Sequence, residues 1–198
     1  MKKESNGRNQ VIGEVMYLET IGSDFVKSAT LLHANNDGGS GDYLNTINLL
    51  ASQALELLPK SLIATSICLN KNNNPVAEIH RAINKKLGCL GHEIDDICDE
   101  VPELKTALGI IKIERINGKT HKEAFVDEFR FTINNNSVVN KIIRIKNLEG
   151  ARYGLFARNK DIGGNSHRDM QNIIDFLNKL SEETANIRVK MINEFDKK

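Results

Sequence analysis

Tryptophan is absent from this chain, and tyrosine and phenylalanine contribute only three and seven residues. Recognition of single-stranded nucleic acid by stacking needs exposed rings on a basic surface, and so few aromatics argue against such a platform. Cysteine is equally sparse: Cys68, Cys89 and Cys98 are odd in number and form no Cys-x-x-Cys pair. Neither a disulfide framework nor a zinc site is expected from that spacing. An excess of either charge is missing too, since 27 Lys and Arg face 26 Asp and Glu for a net charge of +1. Nothing in that balance demands a nucleic acid or a membrane surface as partner. No apolar run approaches the roughly 20 residues of a membrane span. Val11–Leu18, broken by Gly13 and Glu14, does not make a signal-peptide core. The cytoplasm is the expected location, and no cofactor is implied.

What is present is helical patterning. At 198 residues the chain suits one domain, or one domain with an insertion. Tyr43–Leu69 places Leu44, Ile47, Leu50, Ala51, Ala54, Leu55, Leu58, Leu62 and Ile63 at three-to-four spacing, and Leu49, Leu57 and Ile67 widen the apolar arc. A helix apolar over most of its circumference is buried on several sides, so this segment reads as the central helix of a bundle. Pro59 removes a backbone donor and crowds the carbonyl four residues back, which predicts a kink near Leu55–Pro59 with helix resuming by Leu62. Glu56 and Lys60 stand four apart. On an exposed face such a pair adds about 0.2–0.5 kcal/mol, whereas pointing into the bundle it becomes a candidate functional pair.

Around this segment the chain divides into shorter pieces. Met1–Gln10 is polar and expected to fray, and Val11–Leu18 suits a helix or a strand. Ser23 is a candidate N-cap for a helix carrying Phe25, Val26, Ala29 and Leu32. His33, beside that apolar stripe, reads as a packing residue. Pro75 suits the first position of a helix bearing Val76, Ile79, Ala82, Ile83 and Leu87. Gly91–His92 opens a helix with Ile94, Ile97, Cys98 and Val101 inward. Glu93, Asp95, Asp96, Asp99 and Glu100 lie on its outer face with no neighbouring Lys or Arg in that stretch, and their spacing fits a solvated face better than a divalent metal site. Ile111, Ile113, Phe129, Phe131 and Ile133 alternate with polar residues, as β-strands do. Val139, Ile143 and Ile145 alternate likewise, but Ser137–Leu148 also suits a helix capped by Ser137. Lys141, Arg144, Lys146, Arg152, Arg158 and Lys160 make the one locally basic stretch. The last helix follows a capping box at Ser166–Asp169 and runs to about Asn193.

Three local patterns resemble the HEPN family of bacterial and archaeal helical domains, including toxin–antitoxin-like members. Gln53-Ala54-Leu55-Glu56-Leu57-Leu58-Pro59-Lys60-Ser61-Leu62 is similar to the family's QAxELxxKxL helix. Gly91-His92-Glu93-Ile94 is similar to its GHDL segment, and Ala151-Arg152-Tyr153-Gly154 to its LRYP segment. Pro59 and Gly154 depart from those patterns. The resemblance covers roughly residues 23–108 and 137–187 and leaves 109–133 as an insertion. Because the third segment follows a helix in the family, it favours helix over strand for Ser137–Leu148.

The resemblance implies a mainly α, up-and-down bundle with a short β or irregular insertion at 110–133. It also implies a homodimer that binds a partner protein, RNA or nucleotide, in a toxin–antitoxin or phage-defence setting. Glu56, Lys60, His92, Arg152 and Tyr153 are the binding candidates. Many family members are metal-independent endoribonucleases built on R-x(4–6)-H, in which His moves the 2′-hydroxyl proton and Arg stabilises the phosphorane. Arg115 and His121 satisfy that spacing and are the catalytic candidates. They flank Asn117-Gly118, a tight-turn dipeptide, where the family has a helix. A non-catalytic module is therefore the expectation, with the endoribonuclease and a purely structural helical protein as rivals.

Overall fold

The computed structural model describes residues 4–35, 41–117, 126–134, 140–148 and 167–197. Two long helices, α1 (Glu4–Ala34) and α2 (Gly41–Asn70), lead into α3 (Val76–Leu90) and the short α4 (Ile94–Asp99) and α5 (Pro102–Leu108). Strands β1 (Ile110–Asn117), β2 (Val126–Ile133) and β3 (Lys141–Leu148) follow, and α6 (His167–Phe195) closes the chain. The fold is mainly α with a three-stranded antiparallel sheet ordered β1-β2-β3.

α2 is the centre of the bundle. Ile47, Ala51, Ala54, Leu58 and Leu62 are fully buried, and α2 packs against α1, α3, α4, α6 and β3. It stays helical through Pro59. Three buried hydroxyls on α2 are satisfied within the helix: Ser52 donates to the Leu49 carbonyl, Ser61 to Leu58 and Thr65 to Ser61. Polar side chains can therefore sit in this core without the cost of an unmade hydrogen bond.

α1 corrects two expectations. Helix begins at Glu4, within the segment expected to fray, and continues through Val11–Leu18 and Ser23 to Ala34. Ser23 is no N-cap; its hydroxyl hydrogen-bonds that of Ser181 on α6 at 2.9 Å. Gly22 is buried where α1 crosses α2, and a Cβ there would lie 2.8 Å from Leu58 Cγ. Only glycine lets the two helices approach that closely. Arg188 of α6 and Glu19 of α1, with side chains 15% and 12% exposed, tie the outer helices together.

A third correction concerns Ser137–Leu148. Residues 141–148 form β3, not a helix. Phe129 pairs with Ile145 and Phe131 with Ile143, and all four are buried. A two-stranded ribbon is marginal alone. A third strand with β-branched residues at alternate positions extends the apolar face that β2 lays on the helices. Phe131 meets Phe176 of α6 with ring centroids 5.2 Å apart. The strand-forming region thus extends past residue 133 to 148, beyond the insertion expected from the resemblance. One buried cluster joins α1, α2, the α3–α5 region, β2, β3 and α6.

Two further readings are revised. The helix expected from His92 to Val101 is α4 followed by a break and α5, because Pro102 takes the first position of a new helix. A two-residue hairpin at Asn117-Gly118 is excluded by register: Asn117 pairs with Asp127, so the connection comprises residues 118–125.

Candidate functional site at the α2–α4 corner

Glu56 and Lys60 occupy successive turns of α2 and point inward; each is 8% exposed. The pair is therefore not the surface pair that i,i+4 spacing most simply suggests. Lys60 Nζ donates to Glu56 Oε1 at 2.9 Å and also to the Gly91 carbonyl. Gly91 ends α3 with φ of 54°, a left-handed conformation that side-chain-bearing residues rarely adopt. That turn aims its carbonyl at the ammonium and delivers the next residue, His92, to the carboxylate. His92 Nδ1 lies 2.8 Å from the same Glu56 oxygen. Since a carboxylate accepts, Nδ1 carries the proton and, in the neutral ring, Nε2 is left as the acceptor. The imidazole side chain is 54% exposed, against 10% for Glu56 and Lys60.

Arg115 reaches the same corner from β1. Its guanidinium pairs with Glu93, the neighbour of His92, and its carbon lies 6.0 Å from the centre of the Phe129 ring, within the range of a cation–π contact. Four sequence candidates, Glu56, Lys60, His92 and Arg115, thus gather around one turn, linked through Gly91 and Glu93. Glu56 with Lys60, and Glu93 with Arg115, sum to zero formal charge. An incoming anion would have to displace one of two carboxylates already bound to the cations.

His121, Arg152 and Tyr153 lie outside the described residues, as do the basic residues beyond Lys146. Within β3, Lys141 is half-buried and Arg144 exposed, so strand alternation divides the basic stretch between faces. Arg144 stands opposite Arg130, whose Nε donates to Glu128.

The acidic outer face of α4 is compensated from other elements. Lys86 of α3 pairs with Glu100 at 2.7 Å, Lys105 of α5 with Asp99 at 2.6 Å, and Arg115 of β1 with Glu93. Among the described residues no three His, Cys, Asp or Glu side chains converge as a metal ion requires. Beneath this face burial pushes the Cys98 thiol up to about 12, opposed by nearby Lys105 and reinforced by Asp99 and Asp95. His33 is buried, with its Nε2 3.1 Å from Gln171 Oε1.

Sequence reasoning missed Glu93 and Gly91 as parts of the corner. In sequence Glu93 belongs to the acidic face, and its partner lies 22 residues away. The available signal was Gly91 itself, a glycine directly preceding a histidine at a helix end. No family model, curated protein or solved structure matches the chain.

Proposed function

We propose that this chain is a HEPN-like helical module that acts by binding, as a homodimer engaging a partner protein, an RNA or a nucleotide. A toxin–antitoxin or phage-defence setting accompanies that reading through the family resemblance alone. The observation that carries the non-catalytic part is the neutral corner at Glu56–Lys60–His92 and Glu93–Arg115. A phosphodiester-cleaving site needs a cation left available for the developing charge and a base aimed at an open cleft. Here the Arg115 cation is engaged by Glu93, and the His92 Nδ1 proton by Glu56. The same paired geometry favours, as a second reading, a purely structural role for the corner. An endoribonuclease using Arg115 with His121 requires Arg115 to leave Glu93.

The test combines mass and binding. Light scattering at micromolar concentration should give twice the 22.1 kDa chain mass, and fluorescence anisotropy should show saturable binding of a labelled single-stranded RNA or of ATP. A persistent monomer that binds neither would leave only the structural reading.

A further inference from the structure

Away from that corner, the C-terminal halves of α2 and α6, together with α3 and the start of α5, enclose a groove of about 600 Å³. Its floor is apolar: Leu62, Ile63, Ile67 and Val101, with Ile187 and Met191 half-buried along α6. Volumes of roughly 300–1,000 Å³ are typical of ligand sites. From Leu62 to the end of α2 at Asn70 the wall runs about 12 Å at 1.5 Å per residue, the length of about two helical turns.

The rim is what discriminates among occupants. Three lysines, Lys71, Lys86 and Lys190, and three glutamates, Glu100, Glu103 and Glu194, line it. Lys86 pairs with Glu100 at 2.7 Å and Lys190 with Glu194 at 3.8 Å. Among the described residues Lys71 and Glu103 make no ion pair, so the uncommitted rim charge is one cation and one anion. An amphiphile with a single charged head would satisfy one and face repulsion from the other. An amphipathic helix satisfies both, because its apolar anchors at i, i+3/i+4 and i+7 can be flanked by an acid on one side and a base on the other.

We infer that this groove docks an amphipathic helix of a partner protein, one with a short apolar stripe flanked by charges of both signs. The inference is independent of the dimer and of the α2–α4 corner.

The probe is a fluorescein-labelled 16-residue helical peptide with four leucines at heptad-like spacing, flanked by one Lys and one Glu. Lys-only and Glu-only versions, and dodecanoate as a competitor, complete the set. The mixed-charge peptide should bind the full chain saturably in the micromolar range, at least fivefold tighter than either single-sign version. Met191→Glu should weaken it at least tenfold with helical circular dichroism unchanged, since Met191 is only half-buried. Glu103→Lys should shift preference to the Glu-only peptide. The proposal fails if no peptide saturates by 100 μM, if dodecanoate or a single-sign peptide binds as well, or if Met191→Glu has no effect. It fails equally if Met191→Glu turns a dimer into a monomer, because the groove is then filled by a second copy.

Discussion

Replacing Lys60 by Met removes the ammonium from Glu56 and from the Gly91 carbonyl while keeping most of the side-chain volume. Both partners of the ion pair have side chains only 10% exposed, so water is poorly placed to substitute. Breaking a buried pair from one side costs about 3–5 kcal/mol. Against a urea dependence of roughly 2–3 kcal/mol per molar, the unfolding midpoint should fall by about 1–2.5 M. Glu56→Leu should cost a similar amount, because it strands the Lys60 charge. The double variant Glu56→Leu/Lys60→Met strands neither, and an apolar replacement of a buried pair is often neutral. It leaves His92 without its carboxylate and the Gly91 carbonyl without its ammonium, but the half-exposed ring turns to water at about 0–1 kcal/mol and the loss at the carbonyl is common to Lys60→Met. The double variant should therefore be more stable than either single one, with a coupling above about 2 kcal/mol in a full cycle. Urea titrations followed by circular dichroism at pH 7 measure all four proteins. Single variants within about 1 kcal/mol of wild type, or additive losses, would refute the buried, interdependent pair.

Gly22→Ala should destabilise by about 1–3 kcal/mol through overpacking on Leu58, although alanine favours helix. Gly13→Ala, whose Cβ meets nothing within 4 Å, should instead stabilise by about 0.5–1 kcal/mol; thermal unfolding compares the two. Phe131→Ala should cost about 3–5 kcal/mol, as a fully buried ring loses its contact with Phe176. Cys98 titrates near 9.0 when unfolded and about 12 when folded, so above pH 9 the unfolded state sheds a proton that the native state keeps. Stability from this group is complete below pH 9 and falls by up to about 1.4 kcal/mol per pH unit between 9 and 12. Cys98→Ala should flatten that part of the wild-type urea-midpoint profile, and a variant profile with the same slope would refute the assignment.

The helices were legible where apolar residues recur every three to four positions, as in α2, α3 and α6. α1 was less so, because Val11–Leu18 suits a helix or a strand and Ser23 reads as the N-cap of a new helix, whereas one helix runs through both. What requires glycine at position 22 is the nearby Leu58, a contact between segments that local sequence does not display. β3 was ambiguous for a different reason. Val139, Ile143 and Ile145 fit the strand period while Val138, Val139, Ile142, Ile143 and Leu148 fit the helical one, and the choice is made by the edge of β2 that β3 pairs with. At the site, Glu56 and Lys60 stood out by spacing, but an arc apolar on nearly every side gave no hint of which way they point. The contact between His92 and Glu56 spans 36 residues and depends on the turn at Gly91. The Arg115–Glu93 pair needs strand β1 beside α4, and no periodicity reports that.

The claim that this module binds without cleaving is tested most directly by incubating the purified chain with a 5′-labelled single-stranded RNA in excess EDTA and resolving the products on a denaturing gel. Wild type and His121→Ala should both leave the RNA at full length. Chelator-resistant cleavage by wild type that disappears in His121→Ala would contradict the account. It would make His121 the proton-transfer group and Arg115, released from Glu93, the phosphate-stabilising partner.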